Sequence, residues 1–332
     1  MEARDPSGSR RAPSPAPFDV ATSDEAPLDA GSGRGVPGDT SLSAPDGVPL
    51  YQRHWDPLRK PWATVLIVHG IAEHSGRYER TGRLMAEAGL DVRSFDLRGH
   101  GFSGGARVYV NRWNVYLADL ESVLAPLRAE GRPLVLMGHS MGALIALDYA
   151  LSKRPQPDLL VLSAVPLGAN APAWQKALAP LLSGLSPGFE LANPISGDQL
   201  SHDPAVGTAY FADPLVRPRT TARLGAELFG AMKRIRGSVG QLALPTLVIH
   251  GAEDSLVPAH FSEPLGGLTG VERLVLPGLR HETLNEPDGP DVVAYIVGWI
   301  EDRVKPTRAA DVTTGERVGA VRGLGPSAGV AR

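Results

Sequence analysis

Short apolar runs rich in β-branched residues alternate with longer stretches of helical spacing through the middle of the chain. Val48 to Trp55 reads as an opening strand near a sheet edge. The unbroken apolar run Ala63 to Val68 predicts a strand buried on both faces. Tyr78 to Ala88 carries helical spacing and stops at Gly89, a C-cap position. Asp91 to Phe95, Leu134 to Met137, Leu159 to Leu162, Leu244 to His250 and Val271 to Leu276 predict further strands. Helices are expected over Trp113 to Ala129, Met141 to Leu151 and Tyr295 to Val304. The second of these is apolar nearly all round, as a deeply buried helix is. Repeated strand–helix alternation predicts an α/β domain with a mostly parallel sheet covered on both faces.

The rhythm breaks over residues 166–239, where helical pieces around Ala173 to Leu182 and Thr220 to Ile235 are separated by Pro and Gly. That length is too great for a structureless loop, so a helical cap inserted into the domain is expected there. The core is then expected to comprise residues 45–165 and 240–305. Residues 1–44 hold a single aromatic, Phe18, and residues 306–332 hold none; both stretches are expected to be disordered tails.

Composition narrows the function. The 332 residues carry 33 basic and 36 acidic side chains, a formal charge of -3, which argues against a nucleic-acid partner. Without cysteine there are no disulfides, thiolate metal sites or Cys nucleophiles. No apolar run approaches the roughly 20 residues of a membrane span. Arg10-Arg11 precedes Pro-rich polar sequence where a signal peptide carries an apolar segment, so a cytoplasmic location is expected.

Gly-x-Ser-x-Gly occurs four times, and position separates the copies. A nucleophilic Ser belongs on a sharp strand-to-helix turn, flanked by Gly where a Cβ would collide, with the next N–H aimed at the substrate oxyanion. Gly138-His-Ser140-Met-Gly142 sits between an apolar strand and a long buried helix. Gly184-Leu-Ser186-Pro-Gly188 lacks a donor at Pro187. Gly325-Pro-Ser327-Ala-Gly329 falls in the C-terminal tail, and no helix opens directly after Gly101-Phe-Ser103-Gly-Gly105. Ser140 is therefore the expected nucleophile.

An activated Ser needs an imidazole base and a carboxylate to orient it. Asp254 follows the strand ending at His250, and His281 follows the strand ending at Leu276, which puts both at the sheet edge where Ser140 lies. Glu253 is the alternative acid and His260 the alternative base. The Met141 N–H supplies one oxyanion donor. The second is expected from the loop His69-Gly70-Ile71-Ala72, at the Ile71 N–H. His69, His74, His100 and His139 show no carboxylate-supported ligand spacing, so no metal is expected.

Taken together, Asp46-Gly-Val-Pro-Leu-Tyr, His69-Gly-Ile-Ala-Glu-His-Ser-Gly-Arg-Tyr78, Asp96-Leu-Arg-Gly-His-Gly-Phe-Ser-Gly104, Gly138-His-Ser-Met-Gly142, Asp203, Asp213-Pro-Leu, Gly251-Ala-Glu-Asp254 and His281-Glu-Thr-Leu-Asn-Glu286 resemble the monoacylglycerol lipase and lysophospholipase group of α/β-hydrolases. The resemblance spans about residues 45 to 304. It implies the α/β-hydrolase fold, a Ser140–Asp254–His281 triad, Ile71 and Met141 as oxyanion donors, a helical cap over an acyl channel, and no cofactor. Ala72 and Ala143 depart from it, standing where the family often has Gly.

The expected activity is serine-dependent hydrolysis of a small acyl ester through an acyl-enzyme. An amidase, an aminopeptidase using Glu190 or Glu227 to hold a substrate ammonium, and a C–C hydrolase are the alternatives on the same fold. A ligand-binding protein without turnover is the alternative of another class. Trp174, Leu178, Leu181 and Leu182, with Leu185, repeat at helical spacing in the cap. They are expected either to pack on the core or to line an acyl channel and touch lipid interfaces. Oligomeric state is left open.

Overall fold

A computed structural model describes residues 40–170 and 173–305, the side chains of 173–178 excepted. Strands β1 (Thr40–Ser43) and β2 (Pro49–Trp55) form an antiparallel pair at one edge of the sheet. β3 (Ala63–Val68), α1 (Glu79–Glu87), β4 (Leu90–Phe95), α2 (Asn114–Ala129), β5 (Leu134–His139), α3 (Met141–Ala150) and β6 (Leu159–Ser163) then alternate along the chain. An excursion follows through α4 (Ala173–Leu185), β7 (Glu190–Ala192), α5 (Gly197–Leu200), α6 (Pro204–Ala212), β8 (Arg219–Thr221) and α7 (Ala222–Arg236). The chain returns to the sheet as β9 (Thr246–Gly251) and β10 (Val271–Leu276) and closes with α8 (Gly289–Val304).

The eight strands of the main sheet lie in the order β1-β2-β4-β3-β5-β6-β9-β10. β2 runs antiparallel to β4, and every pair from β4 to β10 is parallel. From β3 the chain crosses first to β4 on one side, then back past β3 to β5 on the other. Open α/β sheets bind ligands at such a reversal, beyond the carboxyl ends of the strands. Here Val68 pairs with Gly138 at that point, so the loop after β3 and the turn after β5 leave the sheet side by side.

Side-chain alternation divides the core into two layers. Leu66, Val68, Phe95, Leu136, Leu160 and Leu162 face α2, α3 and α7. Val65, Ile67, Val92, Val135, Met137 and Ile249 face α1 and α8. With both faces covered, β3, β5 and β6 are buried along their whole length, which accounts for their unbroken apolar runs.

Three details differ from expectation. β1 lies within the stretch read as an N-terminal tail. Its four residues, Thr40–Ser43, are mostly exposed, so no apolar alternation marks them. Inside the insertion, β7 and β8 form a small antiparallel ribbon, with Glu190 opposite Thr221, where only helices were expected. Strands of three residues are too short to show a period. α8 begins at Gly289, ahead of the expected Tyr295, because Pro290 and Asp291 suit a helical first turn.

Candidate active site

Ser140 joins β5 to α3 with φ 51° and ψ -119°, a left-handed conformation unusual for a residue with a Cβ. Its N–H donates to Ser163 O at 2.9 Å, which fixes the turn to β6. The flanking glycines are steric requirements. A Cβ on Gly138 would lie 2.4 Å from Gly142 O, and one on Gly142 would lie 2.1 Å from Val68 O. Only this close packing of α3 on the end of β3 allows the turn. Met141 opens α3, so its N–H has no partner within the helix and stays available to an incoming oxygen.

The loop after β3 passes directly over this turn. A Cβ on Gly70 would come within 3.3 Å of Ser140 Cβ and 2.8 Å of Glu73 Oε1. Glu73 folds back so that Oε1 accepts the Gly70 N–H at 2.6 Å and the Tyr78 hydroxyl at 2.9 Å. Ile71 lies between Gly70 and Ala72, both held. Ala72 adopts φ 65°, and its carbonyl accepts the Arg217 N–H of the insertion at 2.9 Å. His74 Nε2 donates to Asp213 Oδ2 at 2.8 Å, a second tie to the insertion.

Asp254 and His281 meet at the same edge. His281 Nδ1 donates to Asp254 Oδ2 at 2.7 Å, and Oδ1 of the same carboxylate accepts the Leu256 and Val257 N–H groups. The loops bearing them are packed backbone on backbone: a Cβ on Gly251 would lie 2.2 Å from Arg280 O. Burial opposes the charged form of Asp254, yet the His281 charge and the hydrogen bonds from His250, His281 and Val257 outweigh it. Its carboxyl titrates well below the usual range. Burial likewise works to lower His281, but the charge and hydrogen bond of Asp254 win, leaving the imidazole above its ordinary value.

His139 lies 4.8 Å, ring to ring, from His281, and its Nδ1 meets Ser163 Oγ at 3.1 Å. Burial, with the neighbouring His281 charge adding to it, pushes His139 down to about 4, so it stays neutral beside the His281 imidazole. A His inside the Gly-x-Ser-x-Gly motif carries no periodic signal, so nothing in the sequence marks His139 as a neighbour of His281.

Of the alternatives, Glu253 is exposed and pairs with His202 at 3.4 Å, while its neighbour Asp254 takes the imidazole. His260 is exposed on the 3-10 segment Ala259–Leu265, its ring tilted against that of Phe261. Ser103 is buried and donates to Asp96 O. Among the described residues no three His, Asp or Glu side chains gather to hold a metal. Leu181 and Leu185 stand exposed on α4, and Leu182 is half-buried. Trp174 and Leu178 belong to the same helix, with side chains outside the described residues.

A charged cluster braces the two loops of the site. Arg77 gives Nη1 to Glu73 Oε2 at 2.8 Å and grips Glu282 with both terminal nitrogens, at 2.7 and 2.8 Å. Glu282 adjoins His281 in sequence, so Arg77 ties the Gly70 loop to the imidazole loop. Burial would lower Arg77, but the two carboxylates hold it well above its ordinary value. Burial would raise Glu282, but Arg77 holds it below. Glu73 and Arg77 stand out within the motif; Glu282 acquires meaning only in three dimensions.

Residues 59–288 match the model of a hydrolase family described as serine aminopeptidase, S33. The chain belongs to this family. The S33 member is 33% identical over 270 residues to the monoacylglycerol lipase of Mycolicibacterium smegmatis, covering 78% of this chain and 95% of that one. It is 32% identical over 217 residues to human monoglyceride lipase, covering 64% and 71% respectively. Among solved structures it resembles the monoacylglycerol lipase of Paleococcus ferrophilus with a TM-score of 0.69 and 29% identity, over 76% of this chain and 99% of that one. As an S33 serine hydrolase it carries the α/β-hydrolase fold.

Proposed function

We propose that the protein hydrolyses monoacylglycerol-like carboxylic esters through an acyl-enzyme on Ser140. The observation that carries this reading is the 2.7 Å bond from His281 to the buried Asp254, at the strand ends where Ser140 stands on its left-handed turn. The activity as a serine ester hydrolase fits the relatives, which are lipases rather than peptidases.

His281 Nε2 takes the Ser140 hydroxyl proton as Oγ bonds to the ester carbonyl carbon. The carbonyl oxygen gathers negative charge and is received by the Ile71 and Met141 N–H groups. As the intermediate collapses, the C–O bond to the glycerol breaks and His281 returns the proton to the departing alcohol oxygen. Water then repeats the sequence on the acyl-serine, releasing the fatty acid and restoring Ser140. Asp254 keeps the proton on Nδ1, so that Nε2 is the basic nitrogen.

The aminopeptidase alternative needs a carboxylate free to hold a substrate ammonium. Glu190 is engaged by Arg217 at 2.9 Å and Arg219 at 3.1 Å, and Glu227 accepts the Trp113 N–H at 2.8 Å. Neither is spare. The insertion instead exposes Leu181, Leu185, Phe189 and Leu191, a surface suited to transient contact with a lipid interface over an acyl channel. Among the described residues no helix is long and apolar enough to cross a membrane.

The test is a panel of monoacyl esters and amino-acid arylamides, with fluorophosphonate labelling, on wild type beside Ser140→Ala. Stoichiometric labelling of wild type alone, faster ester than arylamide turnover, and a loss of about 10⁶ in kcat for the variant are expected. Equal labelling of both proteins, or faster arylamide cleavage, contradicts the proposal.

A further inference from the structure

A cleft of about 540 Å³ opens between the start of α2, the end of α3 and the face of α7. It lies away from the chemistry: at about 1.5 Å per helical residue, Asp148 is roughly 12 Å along α3 from Ser140. Its lining is unusual for this chain. Arg112, Arg154, Arg223 and Arg234 face it, against two carboxylates, Asp148 and Glu227. Four cations less two anions leave a formal +2 in a protein whose formal charge is -3.

The two carboxylates are largely committed to holding Trp113. Glu227 Oε2 accepts the Trp113 backbone N–H and Asp148 Oδ2 accepts its indole N–H, each at 2.8 Å. Asp148 also binds Arg234 at 2.6 Å, whereas Glu227 stands 3.8 Å from Arg223, whose Nε donates instead to Asn111 O. Arg154 makes one neutral hydrogen bond here, to Asn114 Oδ1 at 3.1 Å, and otherwise reaches no carboxylate among the described residues. The Arg112 side chain forms no hydrogen bond or ion pair with any described residue. Two guanidinium forks are thus left with unmatched charge in a cleft large enough for a small molecule.

We propose that this cleft binds a small soluble molecule carrying two or more phosphate groups. Guanidinium groups match phosphate oxygens in paired hydrogen bonds, so Arg112 and Arg154 each offer a fork to one phosphate group, and the formal +2 of the lining offsets part of the ligand's negative charge. Arg112 and Arg154 hold the ligand from the core, with Arg234 contributing from α7. Because α7 belongs to the insertion and the other two to the core, the ligand fastens one to the other.

Inorganic pyrophosphate is the probe, titrated calorimetrically into the full-length chain at low ionic strength with sodium chloride of equal ionic strength as control. Saturable binding of one equivalent is expected, weakened at least about tenfold in Arg112→Ala/Arg154→Ala, with ester turnover without pyrophosphate unchanged. Arg112→Glu, a reversal at an exposed side chain, gives the same loss and serves if the double variant does not fold. A parallel arm offers phosphatidylcholine vesicles with and without phosphatidic acid. No saturable pyrophosphate binding, equal binding by wild type and variants, or arginine-dependent capture by phosphatidic acid vesicles alone overturns the proposal.

Discussion

Ala72 illustrates how much a single methyl group decides. Its φ of 65° belongs to the region where a Cβ crowds the following carbonyl, at a cost of about 1–2 kcal/mol. Glycine removes that strain but frees the unfolded chain by about 0.4–1 kcal/mol. Ala72→Gly is therefore expected to stabilise the protein by about 0.5–1 kcal/mol, read as a raised denaturant midpoint at constant slope. The departure from the family pattern is visible in the sequence; that the backbone there is left-handed is not. Asp254 and His281 were legible as a pair, because each follows a buried strand at the same sheet edge. His139 was not, since nothing in a one-dimensional pattern says that its ring packs against the imidazole of His281. The pair fixes the pH response. The proposed mechanism needs neutral His281, and Asp254 raises its pKa, so the acid limb of kcat/KM should inflect above the ordinary value of about 6.5. In Asp254→Asn the opposing anion is gone and burial lowers the imidazole, so that inflection should move to lower pH. A loss of about 10⁴ in kcat should accompany it.

Between elements, the site depends on loops locked together rather than on the strands alone. Arg77 sits buried between Glu73, which shapes the Gly70–Ile71 backbone, and Glu282, beside the imidazole. Arg77→Ala leaves two buried carboxylates without their cation and should cost about 3–5 kcal/mol in urea unfolding. Arg77→Lys restores the charge but not the paired grip on Glu282, and is expected to recover stability more fully than kcat, with KM little changed. The long buried strands and α3 could be read from the sequence because uniform burial leaves an unmistakable apolar run. The β7–β8 ribbon and β1 could not, since short or exposed strands bury too little to mark the pattern.

At the scale of the molecule, the mostly parallel direction of the sheet was implied by the alternation of elements, but the strand order and the attachment of the insertion were not. Leu181 and Leu185 project into solvent from α4, a cost in exposed apolar area that contact with a lipid aggregate would recover. Leu181→Ala/Leu185→Ala is expected to lower turnover of long-chain monoacylglycerol in micelles several-fold and to leave short soluble esters unaffected. Chain-length profiles of kcat/KM for the two proteins provide the check, and superimposable profiles would contradict it.

The insertion hangs on the site through the Ala72 carbonyl and through His74. Both ties reach the loop proposed to receive the carbonyl oxygen, so loosening either one loosens that loop. Asp213→Ala, which removes the tie to His74, is therefore expected to lower kcat for short soluble esters as well as for long ones, read in steady-state assays of both.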